Sequence, residues 1–541
     1  MMRTVCIITM LVAGCSKQQD ETSDTSDTST GTVETATTPN YCESTGMTER
    51  LFTEVDDSTA LYATAGDFSV PTTEGTYTLS EQWTGCGSVL VIPDQPAQAT
   101  GWPKDLWQKK SDIADLLGSL PDNTQVLFVS TEQGSDTRLE ILDDLQGKVD
   151  DALKDIEDSD DLEARIFYVT ERARKLEGWL GEVLTSPNWG VGIDRFQRIR
   201  YVGSFADPTR YEADYGWFAP NLSMVANEAI YYNFESDRDD EMVALGATEI
   251  PLWQGDVISD PGWAGARGSI EIELPDAATM ATYDTMEWEL YLGCDGEGEY
   301  GNCPAWDYLV YLFLCDADDP DSCGTEIGRW ITTYHREGRW VHDVTGLLPL
   351  LADGGTRKFQ FYSQQPYEVD LTLRLANQGR ELRPVSATPL YTGGSFGETY
   401  NDRFEEVEVE IPATAARVEI ASVISGHGQV SPGTCAEFCV TTHHFWVNGD
   451  ENVLSLDDAG SGYGCMEQVA EGTVPNQYGT WWYGRSNWCP GKEVELDTTD
   501  ITSQVTAGET ATFDYEGFYE GAPYTTGGAS IVMSSWVVVY E

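Results

Sequence analysis

Three near-continuous apolar runs mark the first half of the chain: Val89-Leu-Val-Ile92, Gln125-Val-Leu-Phe-Val129 and Arg165-Ile-Phe-Tyr-Val169. Each has the length of a strand, and a strand apolar on successive residues is one buried on both faces. Between them the period changes. Leu139, Leu142, Leu145, Val149, Leu153 and Ile156 recur every three or four positions, and Trp107, Ile113, Leu116, Leu117 and Leu120 form a second such stripe. Each stripe predicts one buried face of a helix. Strands alternating with helices predict an α/β domain with parallel strands over residues 41–235. No Gly-rich phosphate loop follows these strands and no Cys-x-x-Cys is present, so neither nucleotide binding nor thioredoxin-type redox chemistry is indicated.

After about residue 236 the helical period disappears. Ser269-Ile-Glu-Ile-Glu-Leu274, Glu287-Trp-Glu-Leu-Tyr291, Val369-Asp-Leu-Thr-Leu-Arg-Leu375 and Glu406-Val-Glu-Val-Glu-Ile411 alternate apolar with polar, as half-buried antiparallel strands do. Turns rich in Gly, Asp and Asn separate them. About 300 residues of this kind predict two β-sandwiches of roughly 150 residues each, here 236–395 and 396–541, with a seam between Arg380 and Asn401. The fold class expected is therefore multidomain: an N-terminal α/β domain followed by two antiparallel β-sandwiches.

The first forty residues are of another kind. Arg3 precedes an apolar run, residues 5–14, too short to span a bilayer but suited to a signal-peptide core. Ala13 and Gly14 before Cys15 resemble a bacterial lipobox, which implies cleavage after residue 14, lipid on Cys15 and, with Ser16 next, sorting to the outer membrane or cell surface. Residues 16–40 are Ser, Thr, Asp, Glu and Gln with few large apolar side chains, a composition that cannot offset the entropy of ordering and predicts a disordered tether.

Composition narrows the partners. Lys and Arg number 31 against 91 Asp and Glu, a formal net charge of −60, which repels nucleic acid and anionic lipid alike. Of 12 cysteines, Cys6 leaves with the signal and Cys15 takes the lipid. The ten that remain suit disulfides in an exported protein. Proximity pairs Cys42 with Cys86, Cys294 with Cys303, Cys315 with Cys323, Cys435 with Cys439, and Cys465 with Cys489, although spacing alone does not fix connectivity.

Charged side chains stand beside three of these staples: Cys303-Pro-Ala-Trp-Asp307, Cys435-Ala-Glu-Phe-Cys439 and Arg485-Ser-Asn-Trp-Cys489-Pro-Gly. With Tyr308-Leu-Val-Tyr-Leu, Arg329-Trp-Ile-Thr-Thr-Tyr334, Val341-His-Asp-Val-Thr345, Ile424-Ser-Gly-His-Gly428 and His443 they occur in an order that resembles the bacterial peptide-N-glycosidase F family, amidases that release N-linked glycans from asparagine. The resemblance covers residues 268–541 and implies two eight-stranded jelly rolls. It also implies that Asp307 is the primary catalytic carboxylate, Glu437 the second essential acid and Arg485 the active-site arginine. Three of the cysteine pairs match the family pattern; Cys42–Cys86 and Cys315–Cys323 do not.

The implied reaction, hydrolysis of the amide joining N-acetylglucosamine to asparagine, needs water activated by a carboxylate and stabilisation of charge on the carbonyl. Asp307 suits the first task; Glu437 would orient sugar or water; Arg485 would hold the developing charge or position Glu437. Trp306 and Trp488 offer flat faces on which a pyranose can stack. The chain departs from the family at Gln364, where a third glutamate is expected, at His427, which replaces a cleft-lining tryptophan, and at Tyr308, which replaces an arginine. Gln364 cannot act as a base but still hydrogen-bonds sugar hydroxyls. The partners implied are N-glycosylated proteins or glycopeptides. Two other readings stand beside this one. The first is a catalytically weak glycan-binding surface lipoprotein. The second is a twin jelly roll like that of copper monooxygenases, for which the five His (His335, His342, His427, His443, His444) would have to form two sites. The acidic runs 295–299 and 316–321 lack the spacing of a calcium loop, and no cofactor or required metal is expected.

Overall fold

The computed structural model describes residues 41–95, 106–157, 159–185, 190–204, 206–212, 217–259, 265–294, 303–430, 434–524 and 527–541. The signal segment, Cys15, the tether up to residue 40 and the acidic run 295–299 lie outside these residues. Among the described residues no helix is long and apolar enough to cross a membrane.

The N-terminal domain is a seven-stranded sheet of β1 (Ser69–Thr72), β2 (Gly75–Thr78), β3 (Ser88–Pro93), β4 (Thr124–Val129), β5 (Ile166–Val169), β6 (Val191–Ile193) and β7 (Ile199–Tyr201), in the order β2-β1-β5-β4-β3-β6-β7. The three apolar runs are its centre, where β3, β4 and β5 pair in parallel. The flanking hairpins are antiparallel, a feature that the strand–helix alternation did not predict. Alternate residues of a central strand face opposite layers. Leu90 and Ile92 pack with Ile113, Leu116, Leu142 and Leu145 of the helices Lys110–Ser119 and Ser135–Leu153, whereas Val89 and Val91 pack with Leu180 and Val183 of the helix Gly178–Thr185. One stripe residue is misplaced: Leu139 is 48% exposed. Arg138 takes the inward position beside it, its Nε–H donating to Thr170 O at 2.8 Å. Cys42–Cys86 closes the start of the domain.

A short hairpin, β8 (Ala206–Glu212) and β9 (Trp217–Pro220), leads to the helix Ala226–Leu245. That helix runs across the boundary expected at residue 235. The first sandwich then comprises β10 (Thr248–Ile258), β11 (Ala266–Asp276), β12 (Thr285–Gly293), β13 (Leu309–Cys315), β14 (Cys323–Ile331), β15 (Gly338–Asp343), β16 (Gly354–Ser363) and β17 (Tyr367–Ala376). They form two four-stranded antiparallel sheets, β10-β17-β12-β15 and β11-β16-β13-β14. The second sandwich contains β18 (Pro384–Phe396), β19 (Val407–Glu410), β20 (Arg417–His427), the small ribbon of β21 (Gln429–Val430) and β22 (Thr434–Cys435), β23 (Thr441–Val447), β24 (Asp450–Ser455), β25 (Asp497–Asp500), β26 (Thr510–Tyr519) and β27 (Ala529–Tyr540). Its sheets are β18-β27-β20-β25 and β19-β26-β23-β24. β18 pairs along β27, so it belongs to the second sandwich, although the expected boundary fell at its far end. The reason is its composition: Pro384-Val-Ser-Ala-Thr-Pro-Leu-Tyr-Thr-Gly-Gly reads as a linker, and hydrogen bonding to a long apolar neighbour overrides that reading.

The sandwiches are joined as well as adjacent. Residues 491–494 of the second run along β14, an exposed sheet edge of the first: Gly491 N–H donates to Ile331 O at 3.1 Å, Ile331 N–H to Lys492 O at 2.9 Å and Val494 N–H to Arg329 O at 2.9 Å. Covering an edge in this way satisfies backbone groups that water would otherwise have to reach. Arg329, fully buried, donates from Nη1 to Ser425 Oγ at 3.0 Å and Val532 O at 2.8 Å across the interface, while Glu326 neutralises it at 2.6 Å. One apolar cluster runs from Leu90 through Trp288 and Trp330 to Trp481 and Trp536, so all three domains share a core.

His342 on β15 is buried in that core against Trp330, with neither ring nitrogen hydrogen-bonded, and burial pushes its pKa down to about 4. A histidine kept neutral in the native state binds fewer protons there than when unfolded, so its contribution to stability is present above the unfolded value and is lost as pH falls from about 6.5 through 4. We therefore expect His342→Phe to remove up to about 3 kcal/mol of the acid-dependent loss across that window. Chemical denaturation at pH 7 and at pH 4.5 measures it; equal pH dependence in the two proteins would contradict it.

Candidate active site

Asp307 sits on the approach to β13, between a disulfide and the strand. Cys294–Cys303 closes the preceding turn. Backbone bonds then fix the residues on either side of it: Thr332 Oγ1 donates to Trp306 O at 2.6 Å and accepts from Tyr308 N–H at 2.8 Å, and His335 N–H donates to Pro304 O at 3.0 Å. The side chain is thereby aimed out of the first sandwich toward the second, where Arg485 lies.

Glu437 is held by the five-residue loop closed by Cys435–Cys439. Its backbone O accepts from Ser486 N–H at 2.8 Å, and its Oε2 accepts from Gly428 N–H at 3.0 Å. The loop lies so close to β20 that a Cβ on Gly426 would stand 1.8 Å from Ala436 O, which is why glycine occupies that position.

Arg485 is fully buried and joins the halves of the site. Nη1 donates to Thr480 O at 2.9 Å and Tyr483 O at 2.6 Å; Nη2 donates to Asp307 Oδ2 at 3.2 Å, Tyr334 Oη at 3.3 Å and Thr480 Oγ1 at 3.2 Å. Its guanidinium carbon lies 4.8 Å from the Phe438 ring and 5.2 Å from that of Trp488. The Tyr334 hydroxyl lies beside the Asp307 carboxyl on the same guanidinium nitrogen and favours its ionised form. The expected alternatives for Arg485 were charge stabilisation or placement of Glu437; its direct carboxylate partner is Asp307.

Both carboxyls are shifted toward basicity. Burial raises Asp307, opposed by the Arg485 charge and by hydrogen bonds from Tyr334 and Arg485. Burial likewise raises Glu437, opposed by the Gly428 N–H, while the nearby Asp307 charge raises it further. Two acids that sense one another, with one cation beside them, make a site in which protonation states are coupled.

The remaining expected contacts are divided. Trp306 is 56% exposed and presents an open face beside Asp307. Trp488 does not: only 4% exposed, it donates from Nε1 to Gly426 O at 2.8 Å, and the half-buried His427 stacks on it at 5.1 Å. The Trp488 indole thus serves as packing for Arg485 and His427 instead of an open sugar platform. Gln364 is exposed in the turn between β16 and β17, one residue beyond Ser363, which pairs with Val310 near the start of β13. It therefore lies at the same end of the sheet as Asp307.

The five His do not converge. His443 points inward and bonds Tyr515 Oη at 2.6 Å, whereas His444 faces the other side and bonds Glu451 at 2.7 Å. Among the described residues the one group of three potential metal ligands is Cys294, Cys303 and Glu337, and two of these are a disulfide. This donor set fits neither copper site of the monooxygenase reading. The acidic run 316–321 is a turn within Cys315–Cys323, with Asp318 N–H capped by Asp316 at 2.8 Å. A cavity of about 1060 Å³ lies elsewhere, between the helix Ala226–Leu245 and β12 and β15, lined by residues that include Phe234, Glu241 and Glu493 but not Asp307, Glu437 or Arg485. Size alone does not select a site; convergent charged groups with shifted protonation do.

Sequence reasoning missed Tyr334 and Thr480. Tyr334 stood at the end of a quoted motif, Arg329-Trp-Ile-Thr-Thr-Tyr334, yet nothing in that string assigned its hydroxyl to Asp307. All five expected disulfides are formed.

The fold and site define a twin-sandwich protein with a carboxylate–arginine centre at the seam, and comparison with known proteins agrees in part of the chain. Residues 399–538 match the family described as Peptide-N-glycosidase F, C terminal. Over that stretch, which lies in the second sandwich, the chain is similar to the C-terminal part of this family. Among solved structures it is similar to a peptide-N(4)-(N-acetyl-beta-D-glucosaminyl) asparagine amidase at 19% identity, covering 55% of this chain and 96% of that one with a TM-score of 0.45. It is also similar to PNGase F, a glycosylasparaginase from Flavobacterium meningosepticum (19% identity, 54% and 95% covered, TM-score 0.43), and to PNGF-II (15% identity, 63% and 71% covered, TM-score 0.40). No curated protein sequence matches it significantly.

The two disulfides of the second half of the site differ in what they constrain. Closing the short loop at Cys435–Cys439 limits the unfolded chain by about 2 kcal/mol, against about 3.5 kcal/mol for Cys465–Cys489. Replacing Cys435 and Cys439 by Ser should lower activity far more than melting temperature. The same change at Cys465 and Cys489 should chiefly lower melting temperature, with a smaller loss of activity through nearby Arg485. Rates on a glycopeptide and thermal melts of the two double variants measure this; equal losses of both kinds in the first would mean that its staple does not aim Glu437.

Proposed function

We propose that this protein hydrolyses the amide bond between N-acetylglucosamine and asparagine, releasing N-glycans from glycoproteins or glycopeptides. The observation that carries the reading is the pairing of Asp307 from the first sandwich with the buried Arg485 guanidinium of the second, next to the loop that presents Glu437 and is bonded to the neighbouring Ser486. Asp307 removes a proton from water as it attacks the amide carbonyl, and its raised basicity favours that step. Arg485 and Tyr334 keep the carboxylate ionised and oriented. Glu437, tethered through Oε2 to the Gly428 amide, orients sugar or water, and the exposed Trp306 stacks on a pyranose face. The site leaves asparagine as aspartate and the glycan intact. The five disulfides fit the exported, outer-membrane lipoprotein address implied by Cys15.

Gln364 favours a second reading, a glycan-binding protein with weak chemistry, because an amide in an exposed turn binds sugar hydroxyls without acting as a base. Weighing the products formed from a glycopeptide separates the two: amidase action converts Asn to Asp, endoglycosidase action leaves one sugar behind, and pure binding leaves the glycopeptide unchanged.

Asp307→Asn preserves shape and loses the base, so the rate should fall by about 10² to 10⁴, and because the buried Arg485 loses its charge partner the melting temperature should fall as well. Single-turnover glycan release with circular dichroism measures both. More than half of the wild-type rate in the variant would remove Asp307 from the reaction.

A further inference from the structure

Among the described residues the α/β domain supplies no group to the carboxylate–arginine centre, yet one of its side chains is bonded to both sandwiches. Glu228, on the helix Ala226–Leu245, is fully buried. Its Oε1 accepts from Gly203 N–H at 2.9 Å in its own domain, from Arg336 Nη1 at 3.1 Å in the first sandwich and from Asn476 Nδ2 at 3.0 Å in the second. Oε2 accepts from Arg336 Nη2 at 3.4 Å. Arg336 also donates to Pro475 O, and Asn476 Nδ2 to Met224 O at 2.9 Å. The approach is close: a Cβ on Gly203 would stand 2.3 Å from Asn476 O and 2.7 Å from Arg336 Nη1.

The two segments held by Glu228 are those that clasp Tyr334. Arg336 lies two residues after it. Gln477, next to Asn476, accepts Tyr334 N–H at 2.8 Å and donates to Val474 O at 2.6 Å and Pro490 O at 2.8 Å. Gly479 fits flat against the ring, where a Cβ would come within 2.6 Å. Tyr334 Oη in turn accepts from Arg485 Nη2 at 3.3 Å, the same nitrogen that donates to Asp307 Oδ2 at 3.2 Å.

We propose that Glu228 is a positioning residue for the amidase centre, so that the α/β domain sets the placement of Tyr334 against Asp307. This rests on the amidase reading. Oε1 gathers donors from three domains while Oε2 takes the second Arg336 nitrogen, and the carboxylate charge compensates a buried guanidinium, which a neutral side chain cannot do. The groups facing Asp307 are Arg485, Tyr334 and Glu437. Of these, Tyr334 is the one whose backbone is held through the Glu228 junction.

The test uses the full chain with Glu228→Gln and, because that change leaves Arg336 facing a neutral group in the core, also Gly203→Ala, which only wedges the junction. Two measurements are made: kcat and KM against pH on a glycopeptide, and hydrogen exchange by mass spectrometry, which needs no substrate. In both variants kcat should fall by about five-fold or more with KM nearly unchanged, as displacement of a positioned group predicts. The acid limb of kcat/KM should rise by about half a pH unit, because the Tyr334 hydroxyl, which favours the ionised form of Asp307, is displaced from it. Tyr334→Phe should raise the limb in the same way, and Glu228→Gln combined with Tyr334→Phe should be no worse than Tyr334→Phe alone. Exchange in residues 332–336 and 474–480 should quicken by about ten-fold while strand 529–540 keeps its protection. An unmoved acid limb with additive losses, or unchanged exchange in the two segments, would overturn the proposal. If the wild type releases no glycan, the amidase reading fails and the exchange arm alone decides whether Glu228 holds these segments.

Discussion

A fully buried guanidinium, that of Arg485, is the constraint around which the functional half of this protein is organised. Removing a cation from water costs many kcal/mol unless its protons are matched. Here two carbonyls of the preceding turn take one terminal nitrogen, and Asp307, Tyr334 and Thr480 take the other, while Nε is buried without a partner among the described residues. The preceding turn and Thr480 belong to the same chain segment as Arg485. Asp307 and Tyr334 belong to the other sandwich, so the charge is compensated only when the two sandwiches are docked. Breaking a buried pair by losing one partner typically costs about 3 to 5 kcal/mol, a scale comparable with total domain stability. The arrangement that holds and orients the Asp307 carboxylate is therefore also part of what holds the domains together.

Docking itself depends on an edge. β14 ends its sheet, and residues 491–494 complete it with backbone bonds from the second sandwich. Because Arg485, Trp488 and Cys489 directly precede that stretch, the register of the added strand sets how far the arginine reaches toward Asp307. Arg329 locks the same contact from within, reaching from β14 to Ser425 and Val532, and Ser425 precedes the Gly426–Gly428 turn that receives Glu437. The two acids are thus placed by opposite sides of one interface.

Much of this was legible in the sequence, and the limits have physical causes. Local periodicity marked the central strands and the helices Lys110–Ser119 and Ser135–Leu153, but not the 20-residue helix Ala226–Leu245, because burial on a face repeats every two or 3.6 residues only where the face is a simple apolar one. It misjudged Leu139, where the inward position went to an arginine able to bond a carbonyl, and β18, whose Pro-, Ser- and Gly-rich sequence forms a strand through its neighbour β27. The short cysteine loops placed Asp307, Glu437 and Arg485 in segments that the fold brings to one seam. Trp488 read as a sugar platform because nothing local reports that His427 and Arg485 cover its faces. Tyr334, Arg336 and Glu228 were silent for the same reason: their partners lie 151, 108 and 248 residues away, and no periodic pattern encodes contacts of that separation.

Short and long range are stabilised here by different means. The disulfides span between 4 and 44 residues and fix turns. The contacts that bring the turns together span far more and are hydrogen bonds and ion pairs in the buried seam, where a low dielectric makes a matched bond strong and an unmatched one costly. Reducing conditions and domain separation should accordingly disturb different features: the first loosens the aim of Glu437 within its loop, the second removes the partners of Arg485 and of Glu228 together. The apolar interior follows the same division: the second sandwich has a cluster of its own, whereas the interior of the first is continuous with the core beneath the seam. Packing across the seam keeps water from the guanidinium, and without that exclusion Asp307 would be an ordinary solvated surface acid.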